Sequence, residues 1–556
     1  LTPQRLISAA RVGIAAVVIT FPWGVRAQVY NGTGNIHEVF ADSELETYLR
    51  YLDLTDTTSY ESWSIRPFSP LQLRQFARDV PGSPWAARLT SFKPRERAFR
   101  IGLLSPQTGA RFNSTFPYGS NDGAIWAGRG LTSSVAAGVY ADAGPLSVTI
   151  FPTVFRAENT AFPLFPSPLA CGCGDALFGN VVDRPQRFGT SAYHQLDPGQ
   201  TTIRLDLLGF SAGGTTANEA WGPMAEYPFL LGNNAPGFPH IFLGTSHPLP
   251  ILVGRAQIKI IYGRLDQSQY SPITGSKYYF SGKEPGRVRF ASGLIATFQP
   301  RFFDGLEIGG ARFIHSIWPR TGLPSSYLRK PLQAFLKANL PGIDQNLART
   351  DNQLASFFAR WAFKPSGLEI YGEYGREDNS YDLRDFMQEP DHSRAYSIGL
   401  AKVFRSKASR FDVLRAEIMN FQLPVLAATQ RGEGGIYWHS ILLQGHTNRG
   451  QLLGADVGVG EAAGSTFRWD RYSTGGRWAV FYRRDLRAES SDQIVRNPEI
   501  IQLPDVLHAI GYERLKFTRR FDITGAVTVM RDQSRNFDGS KMNLNLTFAL
   551  TLPRQR

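Results

Sequence analysis

Cysteine is nearly absent from this 556-residue chain: Cys171 and Cys173, in the stretch ACGCG, are the only two. Four metal thiolates are therefore impossible, and no catalytic Cys/His pair is suggested. A bridge across one intervening residue would be strained, so the pair reads as part of a loop. Charge is also scarce, at 19 % of residues against the usual quarter or so. No apolar run approaches the about eighteen residues of a membrane helix. There is no Walker loop, H-E-x-x-H or EF-hand pattern. No internal repeat of about 20–50 residues is found, which counts against a propeller. Among nine histidines, His439 and His446 stand seven apart; on a strand they would fall on opposite faces, which argues against a shared metal. No metal and no cofactor is expected.

Aromatic residues reach 12 % and glycine numbers 54. That composition suits a secreted β-rich protein, or a membrane barrel whose apolar residues are diluted by alternation. The first residues favour export. Arg5 and Arg11 lead into an apolar stretch, Val12 to Phe21, and small residues precede a cleavage point before Gln28. This is the grammar of a secretory signal over residues 1–27. Its removal takes three arginines and no acid from a formal +13, leaving +10.

A helical section is expected next, over 28–96. Leu45, Tyr48, Leu49 and Leu52 share one face, with Asp42 or Ser43 as N-cap. In SPLQLRQFARDV, Ser69 caps a helix whose first position is Pro70, where the missing N–H is harmless. From about residue 97 the period becomes two. In KMNLNLTFALTL, Met542, Leu544, Leu546, Phe548, Leu550 and Leu552 face one way, and Asn543, Asn545 and Thr547 the other. RVRFASGLIATF, LEIYGEY, RWAVFYRR and FDITGAVTVM behave alike. Strands of about ten residues, oily on one face and polar on the other, fit a membrane barrel. Turn signals give roughly sixteen to eighteen strands. Short breaks such as 141–145 contrast with long ones such as 158–200 and 315–349, as in barrels with short turns on one rim and long loops on the other. An all-β outer-membrane barrel over 97–556 is the fold expected.

GFSAG, Gly209 to Gly213, matches the G-x-S-x-G of a hydrolase elbow, but no apolar helix follows Ser211. A glycine-rich strand end explains it better. Glu369 and Glu373 suggest a glycosidase pair, yet four residues of strand separate them by roughly 13 Å, too far for either ordinary geometry. Lumen lining is the better account. Loop aromatics beside amides and arginines offer more: Trp126 with Arg129, Trp221 with Asn233 and Asn234, and Trp318 with Arg320. A flat ring beside a hydrogen-bonding group suits a sugar, whose faces are apolar and whose rims are polar. These seven are the candidate polysaccharide-binding residues, and no catalytic residue is assigned.

Three stretches carry a resemblance: GQTTIRLDLLGFSAGGTTANEAWGPMAEYPFLLGNNAPGFPHIFLGTSHP (199–248), YWHSILLQGHTNRGQLLGADVG (437–458), and the helical pair with LRYLDL and SPLQL. Together they resemble Wzi-type capsule assembly proteins. The resemblance implies an outer-membrane barrel of about eighteen antiparallel strands with a small periplasmic helical section. It also implies a non-enzymatic surface lectin that holds exported capsular polysaccharide. A barrel so wide would leak unless filled, and the rigid, apolar, Pro- and Gly-rich stretch Trp221 to His240 reads as a folded-in plug or rim piece. The partners expected are capsular or related extracellular polysaccharide, outer-membrane lipid and lipopolysaccharide, with no nucleic acid and a monomeric chain. A porin-like diffusion channel and a serine hydrolase using Ser211 are the alternatives.

Overall fold

The computed structural model describes residues 35–55, 61–76, 83–89, 99–164, 182–271, 273, 288–319, 321–333, 351–377, 382–391, 393–407, 409–422, 435–439, 442–488, 505–534 and 539–552. The expected signal peptide, Cys171, Cys173 and Arg320 lie outside the described residues.

Twenty-three strand segments form one closed antiparallel barrel. The last segment, Gly539–Thr551, pairs with Gln107–Asn113 near the start of the ring, with Leu546 opposite Phe112, and this pairing seals it. Twenty-three exceeds the expected eighteen because five strands are broken into collinear pieces, such as Leu146–Ile150 with Thr153–Ala157, and Tyr193–Asp197 with Thr202–Leu207. Pro106, Pro152, Pro198 and Pro248 sit in four of these breaks and Ala137–Gly138 in the fifth. Proline has no N–H to give to a ladder, so the pairing stops there and resumes beyond.

The alternation read from the sequence is realised. On the closing strand Met542, Leu544, Leu546 and Phe548 are exposed on the outer face, while Asn543 and Asn545 are buried on the inner one. GFSAG forms no elbow. Ser211 lies within the strand Phe210–Thr215, paired on both sides, with its side chain buried.

Two plugs fill the lumen. The first is the helical section, which does not stand apart from the barrel but packs inside its short-turn end. Helix α1 (Glu44–Asp53) takes Ser43 as its N-cap, whose Oγ accepts from the Glu46 N–H at 3.4 Å. Helix α2 (Pro70–Phe76) begins with a reciprocal cap: the Gln72 N–H donates to Ser69 Oγ at 3.1 Å, and the Ser69 N–H to Gln72 Oε1 at 2.9 Å. Helix α3 (Ala86–Leu89) follows. Tyr48, Leu49, Leu52, Trp63 and Trp85 pack with Ala401, Phe411, Val413 and Tyr472 of the wall into one apolar cluster.

The second plug enters from the long-loop end. Residues 216–239 fold inward with part of 435–460, and Trp221, Tyr227, Phe229 and Leu230 bury against Phe313, Phe358, Tyr437 and Leu453. The Trp221 ring lies so close to the wall that a Cβ on Gly293 would come within 2.5 Å of it, so glycine is required there. The two plugs meet in the lumen. Ile65–Arg66 pairs with Ala220–Trp221, and the Gly222 N–H donates to Ser64 O at 2.9 Å.

One strand holds pieces of both plugs. Along Leu368–Glu377, Glu369, Glu373 and Glu377 recur every fourth residue, all buried. Glu369 takes Arg50 of α1 at 2.9 Å and Arg360 of the wall at 2.6 Å. Glu373 Oε2 accepts from the Phe229 N–H at 3.3 Å. Glu377 accepts from the Tyr437 N–H and, at 2.8 Å, from Asn352. Two strands further along the wall, Glu417 accepts from the consecutive N–H groups of Ala225, Glu226 and Tyr227. In the helical plug itself, burial pushes Glu46 and Glu61 up to about 7.

Two substitutions test this architecture. Leu546→Arg places a cation on the outer face of the closing strand, and near the midplane it should cost about 2–4 kcal/mol of barrel stability; a normal yield of heat-modifiable folded barrel would contradict the facing. Glu369→Ala leaves Arg50 and Arg360 buried without their shared carboxylate. The expected loss is about 3–5 kcal/mol, read as a lower unfolding midpoint and faster proteolysis of the helical section.

Candidate functional site

A cavity of about 240 Å³ lies at the long-loop end beside the second plug. Loop 114–129 contributes Phe116, Tyr118 and Trp126, and Arg184, Gln186 and Phe188 come from the segment after 181. Asn234 and Gln451 come from the plug, and Arg487, Asp532 and Lys541 from strand ends at the rim. Asp532 and Lys541 face each other in register across the last hairpin. Its lining is part aromatic and part polar, with charged groups of both signs.

The aromatic wall is braced from behind. Trp126 is half-buried, its ring 4.8 Å from that of Phe188, and Phe188 stacks on Tyr193 at 4.7 Å. Tyr270 closes the group, edge-on to both Phe188 and Tyr193. A Cβ on Gly128 would approach the Trp126 ring to 2.7 Å, so glycine lets the indole lie against its own loop. Burial raises the Tyr118 hydroxyl well above its ordinary pKa, which keeps it a proton donor.

The loops around the cavity are tied by buried polar groups. Asp183 accepts from the N–H groups of Ser268 (2.7 Å) and Gly450 (3.1 Å), joining three loops, and burial pushes its pKa up to about 6. Deeper in the lumen, burial alone would raise Glu219, but Lys259 and His240 overcome it and hold this carboxyl down at about 2. At neutral pH Glu219 is a full anion that receives Trp221 Nε1–H at 3.2 Å.

Of the residues singled out in the sequence, the cavity brings together Trp126 and Asn234. Asn234 also donates to Leu452 O at 2.9 Å. Asn233 faces an adjoining cavity of about 330 Å³ and donates to Asn121 O at 2.9 Å. Arg129 is a positioning residue: its guanidinium donates to Ser114 O at 3.1 Å and to Ala161 O, pinning the ends of two loops. Trp221 has no accessible surface, so it offers no face to a sugar; its ring fills the lumen. Trp318 lies elsewhere, edge-on to Phe290, which projects from the outer face of the wall.

Tyr118, Phe188, Gln451, Arg487, Asp532 and Lys541 were not singled out from the sequence. For Lys541 a signal was present, since it shares the inner face with Asn543 and Asn545. Gln451 stands inside the stretch YWHSILLQGHTNRGQLLGADVG. His439 and His446 sit in a folded loop rather than on a strand; His446 Nε2 meets Leu230 O at 2.6 Å. Among the described residues no group of three or more His, Cys, Asp or Glu side chains is placed to hold a metal.

Comparison with known proteins places this architecture. No curated protein sequence matches the chain. Among solved structures it is similar to Wzi of Escherichia coli, an outer membrane protein involved in group 1 capsule assembly and described as a carbohydrate-binding β-barrel. The identity is 12 % over 93 % of this chain and 99 % of that one, with a TM-score of 0.58. Looser likenesses are to OccK2 (OpdF) and OprD of Pseudomonas aeruginosa. Each is 9 % identical over 82 % of this chain, covering 97 % and 95 % of theirs, at TM-scores of 0.38 and 0.37. The family model of the capsule assembly protein Wzi matches residues 179–504, more than half of the sequence, and the chain belongs to that family.

Proposed function

We propose that this protein is an outer-membrane surface lectin that binds capsular or related extracellular polysaccharide in the cavity at its long-loop end. The observation that carries the proposal is that cavity, lined by Trp126, with Phe188 buried beside it, together with Asn234, Gln451, Arg487 and Lys541. An apolar ring face suits the C–H face of a pyranose, and amides and guanidiniums suit its hydroxyl rim. The lining carries Arg184, Arg487 and Lys541 beside the carboxylates of Asp122, Asp456, Asp485 and Asp532, so it offers both donors and acceptors to a glycan. Membership of the Wzi family supports the same reading.

The membrane setting belongs to the proposal. If each broken strand crosses once, the twenty-three segments make eighteen crossings, with the long loops outside the cell and the short turns and helical plug toward the periplasm. Outer-membrane lipid and lipopolysaccharide then surround the apolar outer face, and the chain acts as a monomer without nucleic acid. Binding is the whole activity, with no covalent step. Ser211 lies within a ladder rather than on an elbow, which speaks against hydrolysis. A diffusion pore is the weaker reading because two plugs occupy the lumen.

A stacked ring contributes about 1 kcal/mol, by analogy with aromatic pairs, which is about fivefold in affinity. Trp126→Ala should therefore weaken glycan binding about fivefold on an array of purified protein, and reduce capsule retention on cells, with folding and export unchanged. Unaltered binding would contradict the assignment of the cavity.

A further inference from the structure

The outer face of the barrel does not end in the same way around its short-turn rim. On one side an aromatic girdle precedes polar tips. Trp469 and Trp478 project outward near the rim, and the turns beyond are Ser409, Thr474–Gly475 and Arg519–Arg520. Tryptophan at that height marks a water–lipid boundary, with polar turns in water below it.

On the other side the apolar face runs through the turns themselves. From Ile203, Leu205 and Leu207 it continues into Leu208, which is 89 % exposed, and Phe210. From Ile251 it continues into Leu252, 93 % exposed, and Val253. In the next hairpin the tip carries Phe302, 81 % exposed, and Phe303. These are three consecutive short turns of the ring. Large apolar side chains so exposed, side by side and continuous with a lipid-facing surface, mark an interaction site.

We propose that this sector of the short-turn rim, from Leu207 to Phe303, is a phospholipid-contact surface whose tips lie below the headgroups, in the acyl layer of the near leaflet. Two observations select lipid over a protein partner. The patch is continuous with the apolar belt of the strands that lead into it. Its own strands also carry no tryptophan, Trp361 standing at the edge of the patch with its indole N–H on Asp304 O. Arg301 is exposed beside Phe302 and Asp304 beside Phe303; these two polar groups stay at headgroup level while the two rings between them reach into hydrocarbon. The barrel then sits tilted, with one side of its short-turn rim deeper than the other.

The inference rests on the membrane reading above, and the test separates the two. In a Cys171→Ser, Cys173→Ser background, single cysteines are introduced as Leu252→Cys, Phe302→Cys, Thr474→Cys and Leu546→Cys, and each carries a nitroxide spin label. The full protein is placed in nanodiscs of phosphatidylethanolamine and phosphatidylglycerol, and collision with oxygen and with a water-soluble nickel chelate is measured. Labels at 252, 302 and 546 should collide with oxygen and exclude nickel, and the label at 474 should do the reverse. Nickel access at 252 and 302 with exclusion at 546 would overturn this proposal and leave the membrane reading intact. Nickel access at 546 would overturn both. Exclusion of both reagents at 252 and 302 would indicate burial against protein and overturn the lipid assignment, and exclusion of nickel at 474 would overturn the tilt.

Discussion

Carboxylates buried in a filled lumen are the constraint on which the rest of the structure depends. A barrel this wide leaves an interior that its own inward side chains cannot close. Whatever fills it brings backbone N–H groups and charged side chains away from water, where an unpaired group is expensive. Glu369, Glu373 and Glu377 answer that need from a single strand, receiving in turn a helix arginine, a loop amide and a second loop amide. The spacing of four sets all three on the inner face and spreads them along the barrel axis. Buried ion pairs are weak evidence of net stability, but removing one partner is strongly destabilising. The wall and the fillers are thus committed to one arrangement.

That commitment shapes the outer cavity. Loop 216–239 is fixed from below by Glu373, Glu417 and the pairing with Ile65–Arg66, so Asn233 and Asn234 emerge from it at defined places. Asp183 binds the surrounding loops to one another. A cavity built from loops is ordinarily soft; this one stands on a packed plug.

The sequence made the barrel legible because alternation is a local signal. KMNLNLTFALTL alone separates the outer leucines from the inner asparagines, and Ser43 and Ser69 mark the helix starts. The prolines that break strands were visible, yet their effect on the ladder depends on which neighbours they face, and so the count of segments was not. Trp221 shows the same limit at the site. A tryptophan next to glycine and proline reads equally well as a loop ring offered to sugar or as a ring driven into a core, and only the narrow passage at Gly293 decides. Glu369 and Glu373 read correctly as lumen lining, while their partners, Arg50 and the Phe229 amide, lie far away in sequence and carry no local trace. Lys541 and Gln451 could have been found by following the inner face of the last strand and the second family stretch to their ends.

Hydrogen exchange on the intact protein tests the interlocked plugs most directly. The amides of Trp221, Gly222 and Phe229 donate to Leu231 O, Ser64 O and Glu373 within the lumen. They should exchange as slowly as those of the wall strand Val288–Pro300, although they belong to a loop rich in glycine and proline. Exchange at the rate of an exposed loop would contradict the account, because the segment would then not be held by the barrel at all.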